Sequence, residues 1–245
     1  MAEKKEHKIV SASGGARKTD ASRAQAIHHN VRPAPARGNA GGRRAGAVIL
    51  WLLAIVCEVL AILIISEKFV LQFLPTMYQI IGFLVLDLIF VIIGAQLWKS
   101  ANRIDPASRQ NKAKFWLWNN MGVIACIVAF VPIIVIMLSN KDLDKRTKAI
   151  CTVVAVIALL IGGLASYDWS PISAEEKDEL VQLYGDDTVY WTPYGKVYHT
   201  NEYCHTLNHS ETLYEGTVDE AVENNRTRLC SYCASELAAE AENAA

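Results

Sequence analysis

Between Gly46 and Ser166 four long apolar stretches follow one another with short polar loops between them, and this pattern limits the architecture more than any other feature of the chain. A helix needs about 20 mainly apolar residues to cross the hydrocarbon core of a bilayer. Stretches at residues 47–65, 77–98, 116–138 and 149–166 meet that requirement. In lipid a backbone has no water to satisfy its polar groups, so each stretch is expected to be a helix. The expected fold class is an all-α four-helix transmembrane block over residues 46–166, followed by a small α+β C-terminal module.

An even number of crossings returns the chain to the side on which it began. Met1 to Arg44 holds ten Lys/Arg against three Asp/Glu. The second loop adds Lys99, Arg103, Arg109, Lys112 and Lys114, whereas the first loop has only Lys68. The third loop opposes this bias with Lys141, Lys145, Arg146 and Lys148, partly offset by Asp142 and Asp144. Fifteen basic residues against five place both termini in the cytoplasm by the positive-inside rule. A multi-pass protein of the plasma membrane is the expectation. The first apolar stretch follows about 45 polar residues and is long enough to span, so it reads as a retained anchor rather than a cleaved signal.

Residues 1–45 are rich in Ala, Gly, Arg, Lys and Pro and hold almost no bulky apolar side chain, which predicts a disordered basic tail. Its charge suits anionic lipid headgroups. No aromatic residues interleave with the basic ones to stack on bases, so nucleic acid is not the expected partner.

Two carboxylates fall inside the apolar stretches, Glu58 and Asp87. At 1.5 Å per residue they lie about 18 Å and about 16 Å from the same end of the block, and therefore at one depth. Glu58 shares a helix face with Ala54 and Ala61, small residues that admit a neighbouring helix, so this face is expected to point inward. One reading is an intramembrane proton or ion site. The other is a pair of neutral acids that hydrogen-bond between helices. In the fourth stretch Ala158, Gly162 and Ser166 recur every four residues, a stripe suited to close helix contact or to homo-oligomer formation.

The chain after Ser166 is acidic, with sixteen Asp/Glu against four Lys/Arg. Residues 167–186 read as a helical connector, because Ser173-Ala-Glu-Glu176 has the capping-box pattern. Val189 to Thr192 and Lys196 to His199 alternate around Pro193-Tyr-Gly195 as a β-hairpin would, and a third strand is expected at Thr212 to Glu215. Thr217-Val-Asp-Glu220 opens another helix, Cys230-Ser-Tyr-Cys233 leads into a last one, and residues 237–245 form an Ala/Glu-rich tail. A module of about 50 residues over 187–236 is too small to bury a convincing core without a staple. Its three cysteines cannot all pair as disulfides. Cys230-x2-Cys233 brings two thiolates to one ion, and His199 with Cys204 completes a Cys3His set that Zn2+ accepts in a reducing compartment. His205 and His209 are spare candidates, and a redox dithiol is the competing use of the Cys-x2-Cys turn.

Val189-Tyr-Trp-Thr-Pro-Tyr-Gly-Lys-Val-Tyr-His199, Cys204, Leu207, Thr217-Val-Asp-Glu-Ala221 and Cys230-x2-Cys233, in this order, resemble the small zinc-binding module related to the metal-binding domain of the Ada DNA-repair protein. Similar modules are appended to bacterial nucleases and to competence-related membrane proteins. The resemblance covers residues 187–236 and implies His199, Cys204, Cys230 and Cys233 as the ligands. His199 stands where Ada uses a fourth Cys, so the resemblance carries the metal site and not methyl-phosphotriester repair.

A closed Cys3His site does not activate water, and the sequence has no Ser/His/Asp set, phosphate-binding Gly loop or His-Glu-x2-His motif, so an enzyme is not expected. The leading expectation is a bacterial multi-pass membrane protein whose cytoplasmic zinc module is structural, binds a protein partner or senses metal or redox state. A small ion or proton transporter or channel component using Glu58 and Asp87 is the alternative from a different class. Membrane-tethered nucleic-acid handling is a third, resting on the module's resemblance alone.

Overall fold

The computed structural model describes residues 30–34, 38–69, 74–184 and 187–244. They fall into two compact units, one holding the long helices and the other the strands and the C-terminal helix. In the first unit α1 (Ala40–Ile65), α2 (Thr76–Ile104), α3 (Lys112–Ser139) and α4 (Lys145–Ser166) are each long and apolar enough to cross a membrane.

These helices run past their apolar stretches because polar residues beyond them find partners. Asn39 caps α1 by accepting from the Gly42 N–H at 3.2 Å. Arg43 then donates to Ser100 Oγ, and Arg44 to Asp105 Oδ2 at 2.7 Å and to the Asp105 carbonyl at 2.6 Å. The Arg44 guanidinium also lies 5.9 Å from the rings of Trp98 and Trp118, within the range of attraction to an aromatic face. Trp98 and Asn102 donate to the Trp118 carbonyl at 2.8 and 3.0 Å, and Lys99 to that of Ala165 at 2.8 Å. The start of α1, the end of α2, the start of α3 and the end of α4 therefore meet at one end of the unit. At the other end Asn140 donates to the Ile65 carbonyl at 2.9 Å and Lys148 to that of Asn140 at 2.8 Å. The result is an up-down-up-down bundle.

Apolar side chains lie both inside and outside this bundle. Ala54, Ala61, Leu84, Val91, Cys126, Phe130, Ala155 and Ala158 belong to its interior. Leu52, Val56, Leu86, Ile89, Val128, Val135, Ile157 and Leu160 are exposed, an apolar surface far beyond what a water-soluble protein presents. The Ala158, Gly162 and Ser166 stripe is buried within the chain. A Cβ built at Gly162 would meet Cys126 Sγ at 2.8 Å, and one at Gly122 would meet Ala95 Cβ at 2.7 Å and the Ser166 carbonyl at 3.2 Å. The stripe is thus used to bring α4 against α3. Beyond α4, Arg103 donates to both oxygens of Asp168, at 2.7 and 3.0 Å, with side chains only 6% and 3% exposed. α5 (Ala174–Tyr184) follows, with the expected reciprocal cap: Glu176 N–H to Ser173 Oγ at 3.2 Å and Ser173 N–H to Glu176 Oε2 at 3.0 Å.

The second unit holds a three-stranded sheet in the order β1 (Asn30–Pro33), β4 (Thr212–Gly216), β2 (Val189–Trp191), and a parallel pair of β3 (Val197–Tyr198) with β5 (Arg228–Leu229). β1 lies parallel to β4 and β2 antiparallel to it. α6 (Val218–Glu223) and α7 (Ser231–Ala244) complete it. Three expectations differ from this arrangement. The basic tail predicted as disordered to residue 45 contains β1, whose backbone finds a partner strand in β4, and the first turns of α1. The remainder of that prediction, residues 1–29 and 35–37, lies outside the described residues. The hairpin is reduced to one antiparallel bridge, Tyr190 to His199, because β2 pairs with β4 and β3 with β5. The tail at 237–245 is not separate, since α7 runs unbroken from Ser231 to Ala244.

Gly122→Ala is expected to lower stability by about 1–3 kcal/mol, the usual range for overpacking, because its new methyl would meet the Ser166 backbone. Gly163→Ala has nothing within 4 Å and should not lower it. Thermal unfolding of the two purified variants in detergent makes the comparison.

Candidate metal centre

Strand register brings the first two ligands together. Tyr198 is opposite Leu229 in the parallel β3–β5 pair, so the following residues, His199 and Cys230, emerge side by side. The Cys230 N–H donates to the Tyr198 carbonyl at 2.9 Å and holds that junction. His199 is fixed from its other side by Tyr190, with two backbone bonds of 2.8 Å. Cys204 opens a short 3-10 turn, His205–Leu207, whose Leu207 N–H returns to the Cys204 carbonyl at 2.8 Å. Cys230 stands at the N-cap of α7 and Cys233 in its first turn. The approach to β5 depends on a left-handed residue: Asn225, at φ 67°, ends α6, and the Arg226 N–H reaches back to the Ala221 carbonyl at 2.9 Å. Arg226 also donates through Nη2 to the carbonyls of Thr192 and Pro193, at 2.7 and 2.5 Å.

One ligand atom from each of His199, Cys204, Cys230 and Cys233 lies within 4.8 Å of the others, and all four residues are buried. His199 Nδ1 is 3.8 Å from Cys233 Sγ. A tetrahedral zinc with bonds of about 2.3 Å to sulfur and about 2.0–2.1 Å to nitrogen sets its ligand atoms about 3.5–3.8 Å apart. No disulfide forms among the three cysteines. His205 and His209, the spare candidates, are exposed and outside the cluster, and His205 instead meets the Tyr232 ring edge-on at 4.0 Å.

The electrostatics of the cluster fit a cation. Burial pushes the His199 imidazole down to about 4, so near neutral pH it is the uncharged, ligating form. Burial pushes the Cys233 thiol up to about 11, and the sulfurs of Cys204 and Cys230 add to the rise. Burial also acts to raise Cys230, but backbone hydrogen bonds from Cys233 and Tyr232 at the start of α7 outweigh it, and this thiol falls below its ordinary range. Three buried sulfurs repel one another as thiolates, and a bound divalent cation removes that obstacle. With four protein ligands the set is closed, as in structural sites.

Sequence reasoning missed one contributor. Thr206 Oγ1 lies 3.2 Å from Cys204 Sγ and 3.7 Å from Cys230 Sγ, so a single hydroxyl serves two ligand sulfurs. Cys-x-Thr is too common a spacing to announce this. In the other unit, Glu58 and Asp87 are buried in the bundle, 7% and 1% exposed, and near enough to interact electrostatically. They make no part of the metal cluster.

Comparison of the chain with protein-family models, with curated proteins and with solved structures finds no match.

Cys233→Ala should abolish stoichiometric metal binding, whereas His199→Cys, which keeps four ligands, should retain it. Thr206→Val is expected to weaken affinity about 10-fold, the low end for loss of a ligand's hydrogen-bond partner. Titration of the purified variants with cobalt, followed by its thiolate charge-transfer absorption, measures all three.

Proposed function

We propose that this is a bacterial multi-pass membrane protein whose C-terminal module lies in the cytoplasm, is clamped by one zinc ion and serves as a docking platform for a protein partner. The observation that carries this reading is the closed set of His199, Cys204, Cys230 and Cys233, buried together in a module too small to be held by its apolar core alone. A closed tetrahedron leaves no position for a water or a substrate, so the module is structural and the protein is not an enzyme through this site. Three unpaired thiols in one cluster suit a reducing compartment, which agrees with the side assigned by the Lys/Arg bias. The order of its residues, similar to the Ada-type zinc module, supports zinc as the metal.

The acidic surface directs the choice of partner. Sixteen Asp/Glu against four Lys/Arg after Ser166 repel phosphate backbones and favour a protein with a basic surface. Exposed aromatic residues, Tyr194 at the turn after β2 together with Tyr203 and Tyr232, supply the apolar contact area that such an interface uses.

The full-length protein should carry one zinc per chain and lose the cooperative unfolding of the module on chelation, with acid acting in the same direction because protons compete for the thiolates. After chelation, a membrane-impermeant thiol reagent should modify Cys204, Cys230 and Cys233 only in permeabilised or inverted membranes. Modification in intact cells would place the module outside, and cooperative unfolding without metal would remove zinc as the clamp.

A further inference from the structure

Glu58 of α1 and Asp87 of α2 remain unexplained by a zinc-clamped platform. Both are more than nine-tenths buried, and Glu58 Oε1 and both oxygens of Asp87 have no hydrogen-bond partner. Each is flanked on its own helix by buried apolar residues, Ala54 and Ala61 around Glu58 and Leu84 and Val91 around Asp87. Asp87 in turn lies near enough to act on two thiols, Cys57 of α1 and Cys126 of α3. α4 offers no charged group along Ala149 to Ser166, and no Lys, Arg or His lies in the stretches 47–65, 77–98 or 116–138. No basic side chain therefore neutralises the pair from within the bundle.

An ionised carboxylate without a partner in such surroundings is strongly disfavoured, and two side by side are more so. Some cation must be held there. A hard metal ion such as calcium requires six to eight oxygen ligands, or six in a near-ideal octahedron for magnesium, and the thiols and alkyl groups around this pair supply none. A soft metal would need sulfur and carboxylate atoms drawn together. Among the described residues, the only such group of three or more His, Cys, Asp or Glu is the one at His199. The hydrogen ion is the cation that asks for no further ligands.

We propose that Glu58 and Asp87 form a proton-binding carboxyl pair inside the helix bundle, in which one carboxylate takes up a proton to become an acid and donates its new O–H to the other. The site is independent of the metal module, and it takes hydrogen ion rather than sodium, potassium or a divalent metal. The two unpartnered carboxyls then satisfy one another, and α1 is linked to α2 in the apolar interior by a bond that depends on that proton.

Infrared spectroscopy of the full-length protein in lipid bilayers tests this directly, because an unionised carboxyl has a C=O stretch that a carboxylate lacks. At pH 7 ordinary surface carboxyls are ionised. A band from a neutral carboxylic acid is therefore expected at pH 7, persisting when sodium, potassium or magnesium is added and decaying only at higher pH. It should be lost in the E58Q/D87N double variant. Isotope labelling of aspartate and glutamate carboxyl carbons in the unaltered protein makes the same assignment without any substitution, so a variant that fails to fold leaves the test intact. The band should shift with one or both labels. Absence of the band at pH 7, a band that ignores both labels, or a band removed by added metal cations each overturns the proposal.

Discussion

An ionised group removed from water must meet an opposite charge or give up its own, and the interior of this protein is organised by that constraint. Arg103 and Asp168 meet it by pairing, with two hydrogen bonds between side chains that are almost wholly buried. His199, Cys204, Cys230 and Cys233 converge on a position where one metal ion would neutralise their sulfurs. Glu58 and Asp87, with no basic residue along the spans, would meet it by holding the proton we propose for them. Three chemistries thus answer a single electrostatic requirement, and each joins segments distant in sequence.

The helix block places its polar contacts at its ends. Apart from Glu58 and Asp87 its middle is largely apolar inside and out, so specificity cannot come from the segregation of apolar from polar faces that guides soluble bundles. Small residues supply it instead, since Gly122 and Gly162 allow close approach of helices that larger side chains would hold apart. Polar contacts at the two ends then set the register. Arg43 and Arg44 against Ser100 and Asp105 act at one end, and Asn140 against Ile65 at the other. The basic residues counted for orientation therefore also have structural partners, which a count of charges does not reveal.

Beyond the four long helices the elements with strong local signals were legible. Thr217 begins α6 as its capping-box spacing implies, and Ser173 does the same for the connector helix α5, since side chain and backbone satisfy each other within four residues. The strand expected at Thr212 to Glu215 is present and runs on to Gly216. β1 and β5 were not. Each is too short to show a period, and each exists because another strand offers a free edge to it. Thr206 was equally hidden, because its role depends on two sulfurs at different sequence distances being close in space.

What the sequence alone determined is whatever depends on counting and local spacing: the number of apolar helices, their approximate extent, the Cys-x2-Cys turn and the residue types suited to a metal. The tertiary structure decided which of these meet. The β3–β5 register sets His199 beside Cys230, leaves His205 and His209 outside, and turns the expected hairpin into a single bridge. It also uses the Ala158, Gly162 and Ser166 stripe within the chain. The physical reason is that a contact between remote segments is selected by the competition of all available surfaces for burial, whereas a cap or an apolar run is satisfied by its own neighbours.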